Sequence, residues 1–396
     1  MAGMELFAIV GFLLASYSIV ANDAIQTLGT FLSSNSRAPW WVLWLFACGI
    51  LVAVMGYGWF TLNGDISFER LNRISYPPII ANDGSRPDWW ARWDPPGGIE
   101  WYHVLPPLVL LFLTRWGIPV STTFLVLTIF TLTGGADGAG VLPGMLTKSF
   151  VGYVVAFALG LVIYLLVSRI FERWVWRTKQ SASHWIWTVL QWCSTGFLWS
   201  QWLMQDLANI FVFLPRHSAD QAATAGVFDP TVVILGTAVM LVLHAVIFAT
   251  RGGEIQKIVM TKTNTIDIRS ATVIDLIYGV LLYVFKELND LPMSTTWVFL
   301  GLLAGRELAI TVLLREARTV SAAIFDVVSD IMRALIGLFV SVFLAIAIPK
   351  MAGAQTAIDV GWPMMAGLVA ATFVCFGVIW MLRGRSAEAN VIQPAE

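Results

Sequence analysis

The sequence predicts an all-α polytopic membrane protein made of two inverted-topology repeats, each with a re-entrant helical hairpin. Three observations carry that expectation. Of the 396 residues, 58% are hydrophobic and 12% charged, about half the charged share of a soluble domain. A pair of short polar motifs occurs twice, in the same order, inside apolar surroundings. Two long apolar segments are each interrupted near the middle by polar residues and a proline.

A hydrocarbon core of about 30 Å takes roughly 20 helical residues to cross. Apolar stretches of that order fall at 4–30, 39–60, 146–168, 184–214, 231–250, 331–349 and 361–382. The first has no Lys or Arg before its apolar run and no cleavage site before Asn22-Asp23, which reads as a retained helix rather than a signal peptide. Segment 104–134 is too long for one crossing and is broken by Thr114-Arg115-Trp116-Gly117-Ile118-Pro119, leaving two arms too short to span. Segment 271–304 repeats the design, with Lys286-Glu287-Leu288-Asn289-Asp290-Leu291-Pro292 as its break. Both read as re-entrant hairpins, whose non-helical tips are tolerated at membrane depth where protein buries them or a wet cavity receives them.

Basic residues orient the chain, because cytoplasmic loops carry an excess of Lys and Arg. Arg169, Arg173, Arg177 and Lys179 mark one such loop, and Arg251, Lys257, Lys262 and Arg269 another. With each hairpin returning to its own side, Arg306, Arg315, Arg318, Arg383 and Arg385 fall inside too. The N-terminus and the Trp- and Pro-rich loop 61–103 then lie outside, against the weight of that loop's Arg70, Arg73, Arg86 and Arg92. The first half starts outside and the second inside, the relationship expected of inverted repeats. The expected divisions are a first repeat over 1–170, a cytoplasmic linker over 171–183, a second repeat over 184–350, an extra C-terminal crossing over 351–383 and a disordered tail over 384–396. The protein is expected in the cell membrane with its C-terminus in the cytoplasm. Several of its 19 Trp, among them Trp174, Trp176, Trp185 and Trp187, flank charged segments as interfacial anchors do.

The first motif pair is Ala21-Asn22-Asp23-Ala24-Ile25-Gln26 and Pro119-Val120-Ser121-Thr122-Thr123. The second is Met204-Gln205-Asp206-Leu207-Ala208-Asn209 and Pro292-Met293-Ser294-Thr295-Thr296, with 98 and 88 residues from Asp to Ser. An Asp at the middle of a membrane helix costs about 2.5–3.5 kcal/mol on insertion scales and marks function by default. Helical spacing puts Asn22, Asp23 and Gln26 on one face, and Gln205, Asp206 and Asn209 on another. One such motif is as readily an interhelical hydrogen bond; two in matching positions point to a site. Each Ser-Thr-Thr run opens an apolar arm, where hydroxyls cap the helix and free N–H groups favour an anion.

Hydroxyls, amides and helix N-termini suit an oxyanion, while two nearby carboxylates would repel it unless cations or protons enter with it. Amide, carbonyl and carboxylate oxygens are hard-cation ligands, so the coupling ion reads as sodium or a proton. Phosphate near neutral pH keeps an O–H to donate to a carboxylate and sulfate has none, which favours phosphate while leaving sulfate open. A membrane enzyme with Asp23 and Asp206 as acid and base lacks any accompanying metal motif or nucleophile, and the chain is expected not to be an enzyme. A relative that senses the anion without moving it also remains open, as does a homo-oligomeric state.

The net charge of -1, without a basic block, points away from nucleic acid. Cys48, Cys193 and Cys375 lie far apart in apolar stretches, so neither zinc nor a disulfide framework is indicated. His103, His184, His217 and His244 show no ligand spacing, and no cofactor is expected. Arg115, Lys286, Glu287 and Asp290 near the hairpin breaks read first as ion-pairing partners. Lys148, Asp330 and Arg333 read as snorkelling residues near helix ends.

These motifs resemble those of the inorganic phosphate transporters, the PiT family of ion-coupled symporters. The family's hallmarks are a duplicated Gly-Ala-Asn-Asp-x-x-Asn motif in inverted halves and a duplicated Pro-Val-Ser-Thr-Thr-His motif. Ala21-Asn22-Asp23 with Gly29-Thr30 is similar to the first copy, and Asp206 with Asn209 to the second; Pro119–Thr123 and Pro292–Thr296 are similar to the hairpin motifs. The resemblance spans roughly residues 5–350. It implies cation-coupled phosphate symport, with phosphate held by Asn22, Asp23, Gln26, Ser121, Thr122, Thr123, Gln205, Asp206, Asn209, Ser294, Thr295 and Thr296. Asp23, Gln26, Asp206 and Asn209 would also hold the cation. Val20 stands where the family has Gly, Gln26 and Gln205 where it has Asn, Met293 where it has Val, and Phe124 and Trp297 where it has His.

Overall fold

A computed structural model describes residues 2–73, 99–115, 118, 120–133, 138–167, 174–175, 177–178, 185–214, 216–218, 226–250, 267–288, 292–314, 319–354, 356–358 and 361–391. The protein is an all-α polytopic membrane protein. In chain order α1 (Ala2–Ile19) enters a wide π-type turn (Val20–Ala24) and continues as α2 (Ile25–Ser34), followed by α3 (Trp40–Thr61). Then come α4 (Leu105–Arg115), a second π-type turn (Thr123–Leu127) opening into α5 (Thr128–Thr133), and α6 (Gly138–Val167). The second half holds α7 (Trp185–Phe211), α8 (Pro230–Ala249), α9 (Ile268–Leu288), α10 (Thr295–Leu314), α11 (Val320–Met351) and α12 (Trp362–Val391).

Among the described residues eight helical stretches are long and apolar enough to cross a membrane: 6–23, 40–61, 140–166, 230–249, 268–288, 295–313, 320–351 and 362–382. The sequence reading differs in two places. It counts 184–214 as a crossing, whereas α7 is a 27-residue helix absent from those eight, because Gln191, Gln201, Gln205, Asp206 and Asn209 dilute its apolar character. It also gives 271–304 two short arms, whereas α9 and α10 have 21 and 20 residues, about 30 Å each at 1.5 Å per residue. Arg306, expected on the cytoplasmic side, is buried within α10, its guanidinium 5.4 Å from the centroid of Tyr164. In the first half the short arms are present: α4 has 11 residues, and the stretch 123–133 is a short apolar helix.

Other expectations shift with the helix boundaries. Lys148 lies inside α6 and is buried, since α6 starts at Gly138 rather than near 146. Asp330 and Arg333 lie well inside α11, which starts at Val320, and pair with each other at 3.1 Å. Helix α12 continues to Val391, into the stretch read as a disordered tail. The loop centre 74–98, most of the linker 171–183, the basic stretch 251–266, Pro119 and the break residues 289–291 lie outside the described residues.

Helices α6 and α10 form a tightly joined pair because small residues let their backbones meet. A Cβ on Gly160 would come within 2.7 Å of the Leu302 carbonyl oxygen. On Gly301 or Gly305 it would overlap the carbonyl oxygen of Tyr153 or Phe157. The outer faces of α8 and α12 are largely uncovered, with Ile234, Leu235, Val242, Phe373, Val374 and Trp380 exposed, as lipid-facing surfaces are.

A small cap packs where α3 and α7 end. Strands β1 (Arg216–Ser218) and β2 (Gly226–Phe228) pair antiparallel, and Phe228 N–H donates to the Gly64 carbonyl at 3.1 Å. The turn after α3 places Asn63, Gly64, Phe68 and Glu69 at positive φ, unusual for the three that are not glycine. Buried Asp65 holds this turn by accepting from Ser67 N and Oγ at 2.7 and 2.5 Å and from Glu69 N at 2.9 Å.

Candidate functional site

The four motif segments, far apart in sequence, meet inside the protein. Asn22 and Asp23 lie in the π-type turn between α1 and α2, and both are buried. A π-type turn sets one backbone carbonyl outside the regular ladder and recurs at functional positions. Asp23 accepts from Asn22 Nδ2 at 2.6 Å on Oδ1 and from the Thr122 hydroxyl at 2.5 Å on Oδ2. Asn22 Nδ2 also donates to the Val120 carbonyl at 3.1 Å, and Asn22 Oδ1 accepts from Thr114 at 3.3 Å. The first Asp motif is thereby tied to its own hairpin.

The hairpin tip then crosses to the second half. Asn209 Nδ2 donates to Thr122 Oγ1 at 3.1 Å, so Thr122 links Asp23 to Asn209. Thr123 Oγ1 lies 3.1 Å from Asp206 Oδ1 and 3.0 Å from the Met293 carbonyl. Thr296 Oγ1 reaches back to the Val120 carbonyl at 3.3 Å. Each Ser-Thr-Thr run therefore touches both halves.

The serines do the work read from the sequence. Ser121 Oγ accepts from Phe124 N at 3.3 Å and Ser294 Oγ accepts from Trp297 N at 3.2 Å, the same three-residue cap in each copy. Ser294 N donates in turn to Ser149 Oγ on α6 at 2.8 Å. Thr295 opens α10 beside Asp206, and its carbonyl accepts from the Tyr278 hydroxyl at 3.0 Å.

Within the motif cluster, the unmet hydrogen-bonding capacity gathers on one turn of α7. Asp206 Oδ1 accepts from Asn209 Nδ2 at 2.6 Å, and Gln205 Nε2 points to the Leu282 carbonyl at 3.5 Å. Asp206 Oδ2, Gln205 Oε1 and Asn209 Oδ1 are buried with no hydrogen-bond partner. A buried polar atom left unpaired costs about 1–3 kcal/mol, and three acceptor oxygens within one turn mark a place built for a donor or a cation.

Of the twelve residues singled out in sequence, eleven are described and buried; the side chain of Gln26 lies outside the described residues. Sequence reading missed several members. Thr114 and Tyr278 are ordinary in composition and gain their place only from packing. Arg70, which follows the turn after α3, is buried within electrostatic reach of Asp206; in sequence it is one of several arginines in the loop 61–103. Asp275 is a further buried intramembrane carboxylate, which its charge alone could have flagged. Lys286 pairs with its neighbour Glu287 at 2.9 Å. Among the described residues no group of three or more His, Cys, Asp or Glu could hold a metal ion.

No protein-family model and no curated protein matches the chain. Among solved structures it is similar to one titled "The sodium-dependent phosphate transporter", with a TM-score of 0.54 and 17% identity, over 97% of this chain and 99% of that one. The likeness establishes a shared fold along the whole length.

Proposed function

We propose that this protein is a secondary transporter that carries inorganic phosphate across the cell membrane together with sodium or protons. The observation that carries the reading is the meeting of both Asp motifs and both Ser-Thr-Thr tips in one buried cluster, with Thr122 joining Asp23 to Asn209. The named phosphate transporter of the same fold supports it.

In this reading the hydroxyls of Ser121, Thr122, Thr123, Ser294, Thr295 and Thr296 and the amides of Asn22, Gln26, Gln205 and Asn209 hold the phosphate oxygens. Asp23 takes the phosphate O–H, and the unpartnered oxygens of Gln205, Asp206 and Asn209 take the cation. Neither ion is stable there alone, because each leaves an uncompensated charge in a low dielectric; that mutual dependence is the coupling. Arg70 draws the anion toward the acidic pair from the cap side. The two halves act as inverted repeats about the shared cluster, with the N-terminus outside and the C-terminus in the cytoplasm.

Equilibrium binding of labelled phosphate to the purified protein, with labelled sulfate as competitor and with sodium or choline as the cation, tests the site. The reading expects phosphate to bind with sodium, or at acid pH without it, and sulfate to compete poorly. Equal binding of the two anions would replace phosphate by a general tetrahedral oxyanion, and binding of neither would remove the site.

A further inference from the structure

Asp275 lies on α9, one helical turn before Tyr278, and is 1% exposed. Its two oxygens are taken by hydroxyls from two different helices: Thr30 of α2 donates to Oδ1 at 2.5 Å, and Thr195 of α7 to Oδ2 at 2.5 Å. Gln191, also on α7 and fully buried, stands against the same carboxylate. Beyond it, Asn35 Nδ2 donates to Gln191 Oε1 at 2.7 Å, and Trp192 Nε1 donates to Asn35 Oδ1 at 3.2 Å. Asn35 is half-exposed just past the end of α2. In the other direction Tyr278, with Thr27 beside its hydroxyl, reaches the Thr295 carbonyl at the central cluster. A row of polar side chains thus runs from the central site past Asp275 to half-exposed Asn35 at the end of α2.

Among the described residues no cation is recorded against Asp275. Helix α2 contains no charged residue, and the only one on α7 is Asp206, eleven residues from Thr195. On α9 itself Arg269 is paired with Asp267 at 2.8 Å and Lys286 with Glu287. On α6, Lys148 lies four residues from Gly152, which packs near Phe285, ten residues or about 15 Å along α9 from Asp275. On α10 the charged residues are Arg306, whose guanidinium lies over Tyr164, and Glu307, and neither is recorded against Asp275.

A carboxylate in this position is neutralised by a bound cation, and the spacing discriminates between kinds. Oxygens around a hard metal ion sit about 2.3–2.6 Å from it, hence about 3 Å or more from one another. Each Thr oxygen is 2.5 Å from a carboxylate oxygen, which leaves room for a proton and none for a metal ion. We propose that Asp275 is a second, proton-binding station, separate from the central cluster, where a proton carried with the anion rests between that cluster and the end of α2. The proton comes from water, converts the carboxylate to a carboxyl, and one Thr hydroxyl turns from donor to acceptor. The transport role of this station rests on the reading proposed above; its proton binding does not.

Infrared difference spectra of the purified protein between acid and neutral pH provide the test, with phosphate-driven proton entry into proteoliposomes measured alongside. The carbonyl band of a protonated carboxyl should be present in the wild type and in Asp23→Asn, and weakened by one group in Asp275→Asn, where the amide preserves hydrogen bonds to both threonines. Thr195→Val should move the band of Asp275 without abolishing it, which keeps the idea testable if Asp275→Asn does not fold. In vesicles Asp275→Asn should admit phosphate with fewer protons than the wild type. Spectra unchanged in both Asp275→Asn and Thr195→Val overturn the proposal. A band lost in Asp275→Asn from a protein that moves no phosphate supports the proton station and removes the transport reading instead.

Discussion

Phe124 and Trp297 hold the same place in the two Ser-Thr-Thr motifs, and they touch edge to face, with ring centroids 5.9 Å apart and planes at 62°. Each backbone N–H is capped by its own serine, Ser121 or Ser294. The contact puts the first turns of both arms side by side, where the fold needs them to share one cluster. A double-mutant cycle with Phe124→Leu and Trp297→Leu should return a coupling of about 0.5–1.5 kcal/mol beyond the single effects. Thermal unfolding in detergent reads it, and strict additivity would mean the two arms are held apart by other contacts.

Thr122 is the bridge between the halves, because its hydroxyl serves both Asp23 and Asn209. Thr122→Val keeps the shape and removes the bridge, leaving Asp23 short of a donor at about 1–3 kcal/mol. Uptake should fall by at least about tenfold for each 1.4 kcal/mol of transition-state loss, and Thr122→Ser should restore most of it. A valine variant with wild-type uptake would take the hydroxyl out of the site.

The α6–α10 pair is set by glycine rather than by charge. Gly305→Leu places a side chain against the Phe157 backbone and the Leu161 nitrogen, so the helices must separate at a cost of about 1–3 kcal/mol or more. Gly377→Ala on α12, with nothing within 4 Å of the new Cβ, should be neutral or stabilising by up to about 1 kcal/mol. Melting temperatures of the two variants should move in opposite directions or differ by several degrees; equal behaviour would contradict the close backbone approach.

Much of this was legible in the sequence because its signals are local. Apolar length gave most of the crossings, and repeated order gave the cluster: Asp23 with Thr122 and Asp206 with Thr123 are now hydrogen-bonded pairs. What stayed hidden depends on packing. Arg306 reads as a cytoplasmic residue and Lys148 as one near a helix end because charge usually sits at the interface, yet both are buried inside long helices. The polar content of α7 falls in its part from Gln191 onward, where most residues are buried, and hydropathy cannot separate a buried polar helix from a poor crossing. The π-type turns at Val20–Ala24 and Thr123–Leu127 leave no trace in helical periodicity, although they place Asp23 and Thr123.

The unpartnered oxygens of Gln205, Asp206 and Asn209 predict a cation effect on stability. Sodium in place of choline at a hundred times its dissociation constant should stabilise the wild type by about 2.7 kcal/mol, seen as a rise in melting temperature. Asp206→Asn should abolish that rise while Asp275→Asn keeps it. A sodium shift that survives Asp206→Asn would place the cation elsewhere.

Uptake of labelled phosphate by proteoliposomes, with sodium and proton gradients imposed one at a time, separates a coupled transporter from a protein that only binds the anion. Phosphate should accumulate above equilibrium under at least one gradient, fall back when that gradient is dissipated, and fail to accumulate in Asp23→Asn and Asp206→Asn proteins that remain folded. Absence of gradient-driven accumulation in the wild type, or full coupling retained in both variants, would contradict the proposed transport.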